Sequence, residues 1–423
     1  MSRLRISGPC RLHGELQVHG AKNSALPLLA ASLLCSTPCE LQNCPHLSDV
    51  DTAIAILREL GCRVSFEGDT VVVDSRPASA CEISDALMRE MRSSIIFLGA
   101  ILGRAGEASL SFPGGCELGP RPIDLHLQAL RRLGVNIIED HGRLTCTVPD
   151  GLHGAEIALA FPSVGATENV MIAASVARGT TVLENAAREP EIEDLAGFLN
   201  ACGAQIIGAG TGTVRIEGVS RLTGCTYHVI PDRIAAATYL AAAAATGSQL
   251  TLLGVIPRHL RPVLPVLEEA GCRIWTHQNT LEILPPRVLN RVHLVRTMPY
   301  PGFPTDAQAP IMAMTTVAHG TSVFVENIFE ERYKHVGELL RMGANIRVDG
   351  RVAVVEGVPG LSGAPVEAAD LRGGAALVIA GLVAQGQTIV SGIHHIDRGY
   401  EHIEQSLQKL GADVERIPDT EDE

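Results

Sequence analysis

The sequence predicts a mixed α/β (α+β) fold assembled from six copies of one unit, and three observations carry that prediction. A Leu-rich helix end, a Gly and a short strand recur six times, with the glycines at 61, 134, 203, 271, 343 and 411, spaced 68–73 residues apart. A second series of small-residue helices interleaves with the first. The chain of 423 residues is 46% hydrophobic and 19% charged, enough for real cores, but only 3% aromatic, with 42 Gly. Its cores must therefore be aliphatic and rely on close approach of helices and strands, and its length points to two domains.

The first series reads ILRELGCRV, ALRRLGVNI, FLNACGAQI, VLEEAGCRI, ELLRMGANI and SLQKLGADV. Each Gly stands where a helix C-cap needs a residue that tolerates positive φ before the chain enters a strand. The second series begins near Lys22, Arg92, Ser163, Arg233, Asp306 and Arg372, with openings such as AKNSALPLLAA, PDRIAAATYLAAA and DLRGGAALVIAG. These helices are apolar on every side, which predicts burial at the centre of a domain. Gly-containing turns and β-rich runs follow several of them, as in GTTVLEN, GTSVFVEN and GQTIVSG. The unit is thus helix, strand, loop, helix, then two strands.

The ends of the chain carry further information. After Gly411 the last copy lacks the strand pair that follows each earlier glycine, while residues 3–20, RLRISGPCRLHGELQVHG, resemble TVRIEGVSRLTGCTYHVI at 213–230. The N-terminal segment is therefore expected to complete the last copy. One domain then comprises 1–21 with 230–423 and the other 22–229, with two crossings of the chain that form a natural hinge.

Lys and Arg number 34 against 47 Asp and Glu, a formal charge of -13, which argues against a general grip on nucleic acid or on an anionic membrane. The polar start Met1-Ser-Arg-Leu-Arg and apolar runs shorter than the roughly 20 residues of a bilayer span suggest a cytoplasmic protein. Eleven cysteines are scattered without a C-x-x-C pair. The densest group, Cys35, Cys39, Cys44 and His46, fits a zinc site poorly because its second pair is separated by a single residue, so free thiols and no metal are expected.

Ionic side chains recur where the inner helices start: Lys22, Arg92, Arg233, Asp306 and Arg372. A cation beside a helix N-terminus is unfavourable for the helix and favourable for an anionic ligand. The loops PGGCELGPRPID (113–124), ENIFEERYKH (326–335) and HHIDRGYEH (394–402) add Cys116, Arg121, Glu330, Arg332, Asp397 and Arg398, and ENAAREPEIED adds Arg188. Gly114 and Gly115 suggest a mobile lid that offers Cys116 to a ligand, with Arg121 near enough in sequence to favour a thiolate; from the residues alone, an inert thiol stays open. GAGTGT (208–213) is not a dinucleotide loop, since a strand follows it.

Taken in order, GAKNSALPLLAA, MRSSI, PGGCELGPRPIDLHL, FPSVGAT, LENAAREPEIEDLA, PDRI, FPTDAQA, FEERYKHV, DLRGGAAL and HIDRGYEHIE make the chain, from about residue 3 to residue 416, resemble the UDP-N-acetylglucosamine enolpyruvyl transferases (1-carboxyvinyltransferases) of the EPSP synthase superfamily. The resemblance implies two domains of three βαβαββ units each in an inside-out α/β barrel, with the site in the cleft between them. It implies transfer of the enolpyruvyl group of phosphoenolpyruvate to the 3'-hydroxyl of UDP-N-acetylglucosamine, with release of phosphate, at the start of peptidoglycan synthesis. By the same resemblance Cys116 is the lid thiol, an acid toward the enol carbon and the site of covalent attack by fosfomycin, and Asp306 takes the proton of the sugar hydroxyl. Lys22, Arg121 and Arg398 hold phosphate and carboxylate, joined by Asn23, Arg332 and Arg372 around phosphoenolpyruvate. Asn23, Arg92, Arg121, Pro122, Ile123, Asp124, Leu125, Ser163, Val164, Gly165, Asp306 and Ile328 match positions around the nucleotide sugar. No metal or organic cofactor is implied, and no nucleic acid or membrane partner.

The chemistry is coherent with that assignment. Two phosphorylated reactants bring several negative charges together, so cations must offset their repulsion. Addition to the enol calls for an acid at the methylene carbon and a base at the attacking hydroxyl. Departures are small: Glu117 and Leu118 follow Cys116 where Ala and Ile are more usual, and Phe161-Pro162 replaces a Lys-Val pair seen in one branch. The alternatives are an EPSP synthase, disfavoured by Lys22-Asn23 in place of Lys-Ser and by the presence of Cys116, and a non-catalytic paralogue that binds the nucleotide sugar.

Overall fold

The computed structural model describes residues 2–113 and 123–418. These fall into two compact units, one of residues 2–19 with 231–418 and one of residues 20–113 with 123–230. Among the described residues there are six four-stranded sheets, three in each unit.

All six sheets share one topology. In the sheet 82–83, 107–111, 143–147, 136–140, the first pair is parallel and the next two are antiparallel. The same pattern orders Leu294–Arg296 with Thr321–Val325, Val352–Glu356 and Asn345–Asp349. Strands such as Arg143–Thr147 and Thr213–Glu217 alternate buried and exposed residues, so each sheet has one face on a core and one toward water. The glycines that end the outer helices have φ of 96° at Gly61, 94° at Gly134, 102° at Gly203, 96° at Gly271, 93° at Gly343 and 89° at Gly411. That left-handed turn is what the recurring Gly supplies.

The N-terminal segment divides between two sheets. Ser2–Gly8 lies between Gly386–Ser391 and Val414–Pro418, pairing Leu4 with Val390 and with Arg416. Glu15–Gln17 instead runs parallel to Leu250–Leu253, the first strand of the next copy. Thr226–His228 repeats this arrangement by joining Cys39–Gln42 in the other unit. The expectation that 3–20 supplies a strand pair to the last copy is therefore altered: one strand goes there, and the second opens the following copy.

The inner helices are buried on all sides. Arg233–Ala245 is buried from Arg233 to Ala244, and Leu371–Val383 from Arg372 to Leu382. Together with Thr305–Thr315 they pack against one another at the centre of their unit. In the other unit Phe97–Ala105 packs against both Lys22–Ser32 and Val164–Ala174. Alanine and glycine dominate these faces because larger side chains would hold the helices apart. No closed barrel is formed by the described strands. No helix among the described residues is long and apolar enough to cross a membrane.

Candidate active site

The starts of the inner helices fall into two kinds. Three are closed by a capping side chain: Ser163 Oγ accepts from Ala166 N at 3.3 Å, Asp232 Oδ1 from Ile234 N and Ala235 N at 2.8 and 2.9 Å, and Asp370 Oδ1 from Arg372 N and Gly373 N at 3.0 Å. The other three, at Lys22, Arg92 and Thr305, have no side-chain cap. Arg233 and Arg372 thus follow aspartates whose carboxylates accept from the first helix amides, whereas the starts at Lys22, Arg92 and Asp306 carry no such side-chain cap. The caps were absent from the sequence reading, although an Asp directly ahead of the helix in PDRI and ADLR is a signal for them.

In the unit of residues 2–19 and 231–418, Asp306 is the focus. Its Oδ1 accepts from Arg332 Nη2 at 2.9 Å, and its Oδ2 from Arg372 Nη2 and Nε at 3.2 and 3.3 Å. Arg332 and Arg372 are 2% and 1% exposed, while the Asp306 side chain keeps 27%. Arg332 also donates to Thr305 O at 3.1 Å, tying it to the first helical turn. Arg372 stacks over the Tyr400 ring at 5.2 Å and Arg233 over Tyr300 at 5.6 Å.

Glu326, buried to 1% exposure, organises this region and was not singled out from sequence. Its Oε1 accepts from Thr297 Oγ1 at 2.9 Å, Ile328 N at 2.8 Å and Phe329 N at 3.0 Å, and its Oε2 from Thr305 Oγ1 at 3.0 Å. It thereby fixes Ile328 and the start of the Asp306 helix together. Arg398 ends the turn Ile393–Arg398, which packs on the helix that begins at Leu371. His335 is fully buried beside Arg332 and Asp370, and burial holds its pKa below the ordinary value. Glu330, by contrast, is exposed and faces Arg351, and Asp397 pairs with Arg416 at 2.7 Å, so neither belongs to the Asp306 group. Arg188 is exposed.

In the unit of residues 20–113 and 123–230, Lys22 Nζ lies 3.1 Å from Asp49 Oδ2, both side chains being largely buried. Asn23 is half-buried one residue further on. Arg92 Nη1 donates to Pro113 O at 3.2 Å, which anchors the stem of the segment that carries Cys116. Cys116, Glu117, Leu118, Arg121 and Pro122 themselves lie outside the described residues. Ile123 caps the helix Asp124–Arg132, whose Leu125 is half-buried.

A polar network that the sequence reading missed connects these pieces. His126 Nδ1 faces Asn169 Nδ2 at 2.8 Å, while Asn169 also donates to Ile95 O at 2.9 Å and accepts from Gly99 N at 2.7 Å. Gly165 packs on the same ring; a Cβ there would stand 3.0 Å from His126 Cε1. The Asp124 helix, the Arg92 turn and the Ser163–Val164–Gly165 start are thus held in one arrangement. Burial, aided by the Arg92 charge, pushes the His126 pKa down to about 4, so the ring is neutral at physiological pH. Nearby in the same unit, burial and the charges of Glu191 and Glu189 push the Glu168 carboxyl well up.

The expected distribution of cysteines is altered in one respect. His46 stacks on Phe66 at 4.0 Å, and neither it nor Cys44 joins Cys35 and Cys39. The sulfurs that do are those of Cys202 and, beyond it, Cys225.

The family model described as EPSP synthase (3-phosphoshikimate 1-carboxyvinyltransferase) matches residues 6–407. The chain belongs to the EPSP synthase family. It is 52% identical to UDP-N-acetylglucosamine 1-carboxyvinyltransferase 2 of Caldanaerobacter subterraneus, across 99% of this chain and 100% of that one. It is 49% identical to UDP-N-acetylglucosamine 1-carboxyvinyltransferase of Saccharophagus degradans, again across 99% and 100%. Among solved structures, the enolpyruvyl transferase NikO from Streptomyces tendae superposes with a TM-score of 0.89 at 26% identity, covering 98% of this chain and 99% of that one. An EPSP synthase from Acinetobacter baumannii gives 0.77 at 18% identity, over 99% and 100%, a likeness of fold.

Proposed function

We propose that the protein transfers the 1-carboxyvinyl group of phosphoenolpyruvate to the 3'-hydroxyl of UDP-N-acetylglucosamine, releasing phosphate, and that it does so in the cytoplasm as a step of peptidoglycan precursor synthesis. The observation that carries this reading is Asp306: a carboxylate at an uncapped helix start, flanked by two buried guanidinium groups, in a chain about half identical over its whole length to UDP-N-acetylglucosamine 1-carboxyvinyltransferases.

In this mechanism the hydroxyl oxygen bonds to C2 of phosphoenolpyruvate as its proton passes to Asp306, while C3 gains a proton from Cys116. Loss of a proton from C3 and departure of phosphate then restore the double bond, now attached to the sugar. Lys22, Asn23, Arg121, Arg332, Arg372 and Arg398 serve the phosphate and carboxylate. Arg92, the 121–125 stretch, Ser163, Val164, Gly165 and Ile328 serve the nucleotide sugar. Arg332 and Arg372 hold the two Asp306 oxygens in fixed directions, which is the preorganisation a base requires. Fosfomycin acts by alkylating Cys116.

The test is phosphate release from phosphoenolpyruvate with UDP-N-acetylglucosamine and, separately, with shikimate 3-phosphate. Release with the nucleotide sugar alone is expected. Release with shikimate 3-phosphate alone assigns the chain to the other reaction, and release with neither leaves only a nucleotide-sugar-binding role.

A further inference from the structure

We propose that Cys35, Cys39, Cys202 and Cys225 form a thiolate site for a zinc ion, separate from the residues assigned to carboxyvinyl transfer. The Sγ atoms of Cys35, Cys39 and Cys202 all lie within 4.8 Å of one another, and the Sγ of Cys225 lies 3.6 Å from that of Cys202. Tetrahedral zinc with bonds of about 2.3 Å to sulfur separates its ligand atoms by about 3.8 Å, so modest side-chain rotation closes the set around an ion. Among the described residues this is the one place where three side chains of metal-binding type gather so closely.

The convergence is built by the fold. Cys35 follows the inner helix Lys22–Ser32 and bridges to Leu222, and Cys39 opens the strand Cys39–Gln42. Cys202 caps the helix Pro190–Ala201, and Cys225 immediately precedes the strand Thr226–His228, which pairs with Cys39–Gln42. Gly224 makes that approach possible, because a Cβ there would stand 2.0 Å from Pro38 O. Cys35-x-x-x-Cys39 has the short spacing of a first zinc ligand pair, and the second pair comes from the far end of the same unit, where sequence spacing could not reveal it.

Chemistry favours a cation here. Cys202 stands at a helix C-terminus, whose carbonyls carry partial negative charge. Cys35, Cys39 and Cys202 are buried, which suits a dry structural site, while Cys225 is half-buried and offers a way in. Binding converts four thiols to thiolates and releases four protons to solvent, leaving a site of net charge -2; Arg221, bound through Nε to Ser36 Oγ at 2.7 Å, sits beside it in sequence and structure. Buried cysteines commonly pack as small apolar residues. Three sulfurs within 4.8 Å of one another and a fourth 3.6 Å from one of them, drawn from three separated segments, go beyond that. The ion would join the first and last parts of the unit of residues 20–113 and 123–230.

The test uses the full chain, reduced, stripped of metal by chelator and titrated with Co2+ and then Zn2+. Expected are tetrahedral d–d bands and a sulfur-to-cobalt charge-transfer band saturating at one equivalent, displacement by Zn2+, and release of protons. The same behaviour is expected of Cys116→Ser and Cys272→Ala. Changes to outer groups already weaken metal sites by about 10–100-fold, so Cys39→Ser and Cys202→Ser should weaken binding by at least about 100-fold. Absence of the charge-transfer band at one equivalent, or its survival in both variants, overturns the proposal. Should Cys39→Ser or Cys202→Ser fail to fold by circular dichroism, half-buried Cys225→Ser decides: its bands must shift to those of a three-sulfur site, and unchanged bands count against the assignment.

Discussion

Arg372, almost entirely withdrawn from solvent, reaches Asp306 Oδ2 through both Nη2 and Nε, at 3.2 and 3.3 Å. Leaving a buried guanidinium without a counter-charge is costly, and here the partner is a carboxylate that keeps a path to solvent. The pair, with Arg332 on the other oxygen, is the arrangement on which the proposed proton transfer depends.

Asp306→Ala should therefore lower kcat by about 10²–10⁴-fold, the range of a positioned general base, with a far smaller change in nucleotide-sugar affinity. Steady-state kinetics with both substrates varied, together with calorimetric binding, make the comparison. A loss confined to affinity would remove the base assignment.

Glu326→Ala leaves two backbone amides, Ile328 N and Phe329 N, and two hydroxyls without their acceptor. Buried donors left unmet cost about 1–3 kcal/mol each, and relaxation of the loop toward water should recover part of it, so a loss of about 2–4 kcal/mol is expected. Denaturant unfolding reads this directly. Because Glu326 also holds the Asp306 helix start, kcat should fall as well, and Glu326→Gln, which keeps one acceptor, should restore part of both.

His126 predicts an acid-sensitive step. Its folded pKa of about 4 lies below the roughly 6.5 of an unfolded imidazole, so the unfolded chain binds the proton more readily. Stability is then complete above pH 6.5 and declines as the pH falls toward 4, by up to about 3 kcal/mol from this residue. Burial drives His335 in the same direction and adds to the slope. Unfolding midpoints at pH 7 and pH 4.5 should differ less in His126→Gln, which preserves an acceptor for Asn169; an identical difference in both proteins would contradict the argument.

Cys116→Ser should cripple turnover, whereas Cys116→Asp should retain it and escape fosfomycin. Inhibition assays on the two variants separate these outcomes, and equal sensitivity of the Asp variant to the drug would contradict the lid-thiol role.

What could be read from the chain before its structure was whatever repeats or acts locally. Six glycines after six helix ends announced the period, and each has the positive φ expected of it. Ionic residues at helix starts could be found the same way, and two of them, Asp306 and Arg372, meet, joined by Arg332 from a loop. Partnerships between distant residues could not be read. His126 with Asn169, Glu326 with Thr297, and Cys39 with Cys202 depend on which helices and strands lie side by side, and a single sequence carries no record of that packing. The two kinds of helix start were legible in principle, since an Asp ahead of Arg233 and Arg372 is a local signal.

The split of the first residues between two sheets sets an order of assembly. Leu4 must wait for Val390, near the far end of synthesis, whereas every strand of the three sheets within 20–230 finds its neighbours once Thr226–His228 has emerged from the ribosome. The inserted half can mature while the half that begins the chain is still an open tether. A destabilising change before residue 18 should therefore expose the nascent protein to proteolysis late in translation, long after the codons that caused it were read.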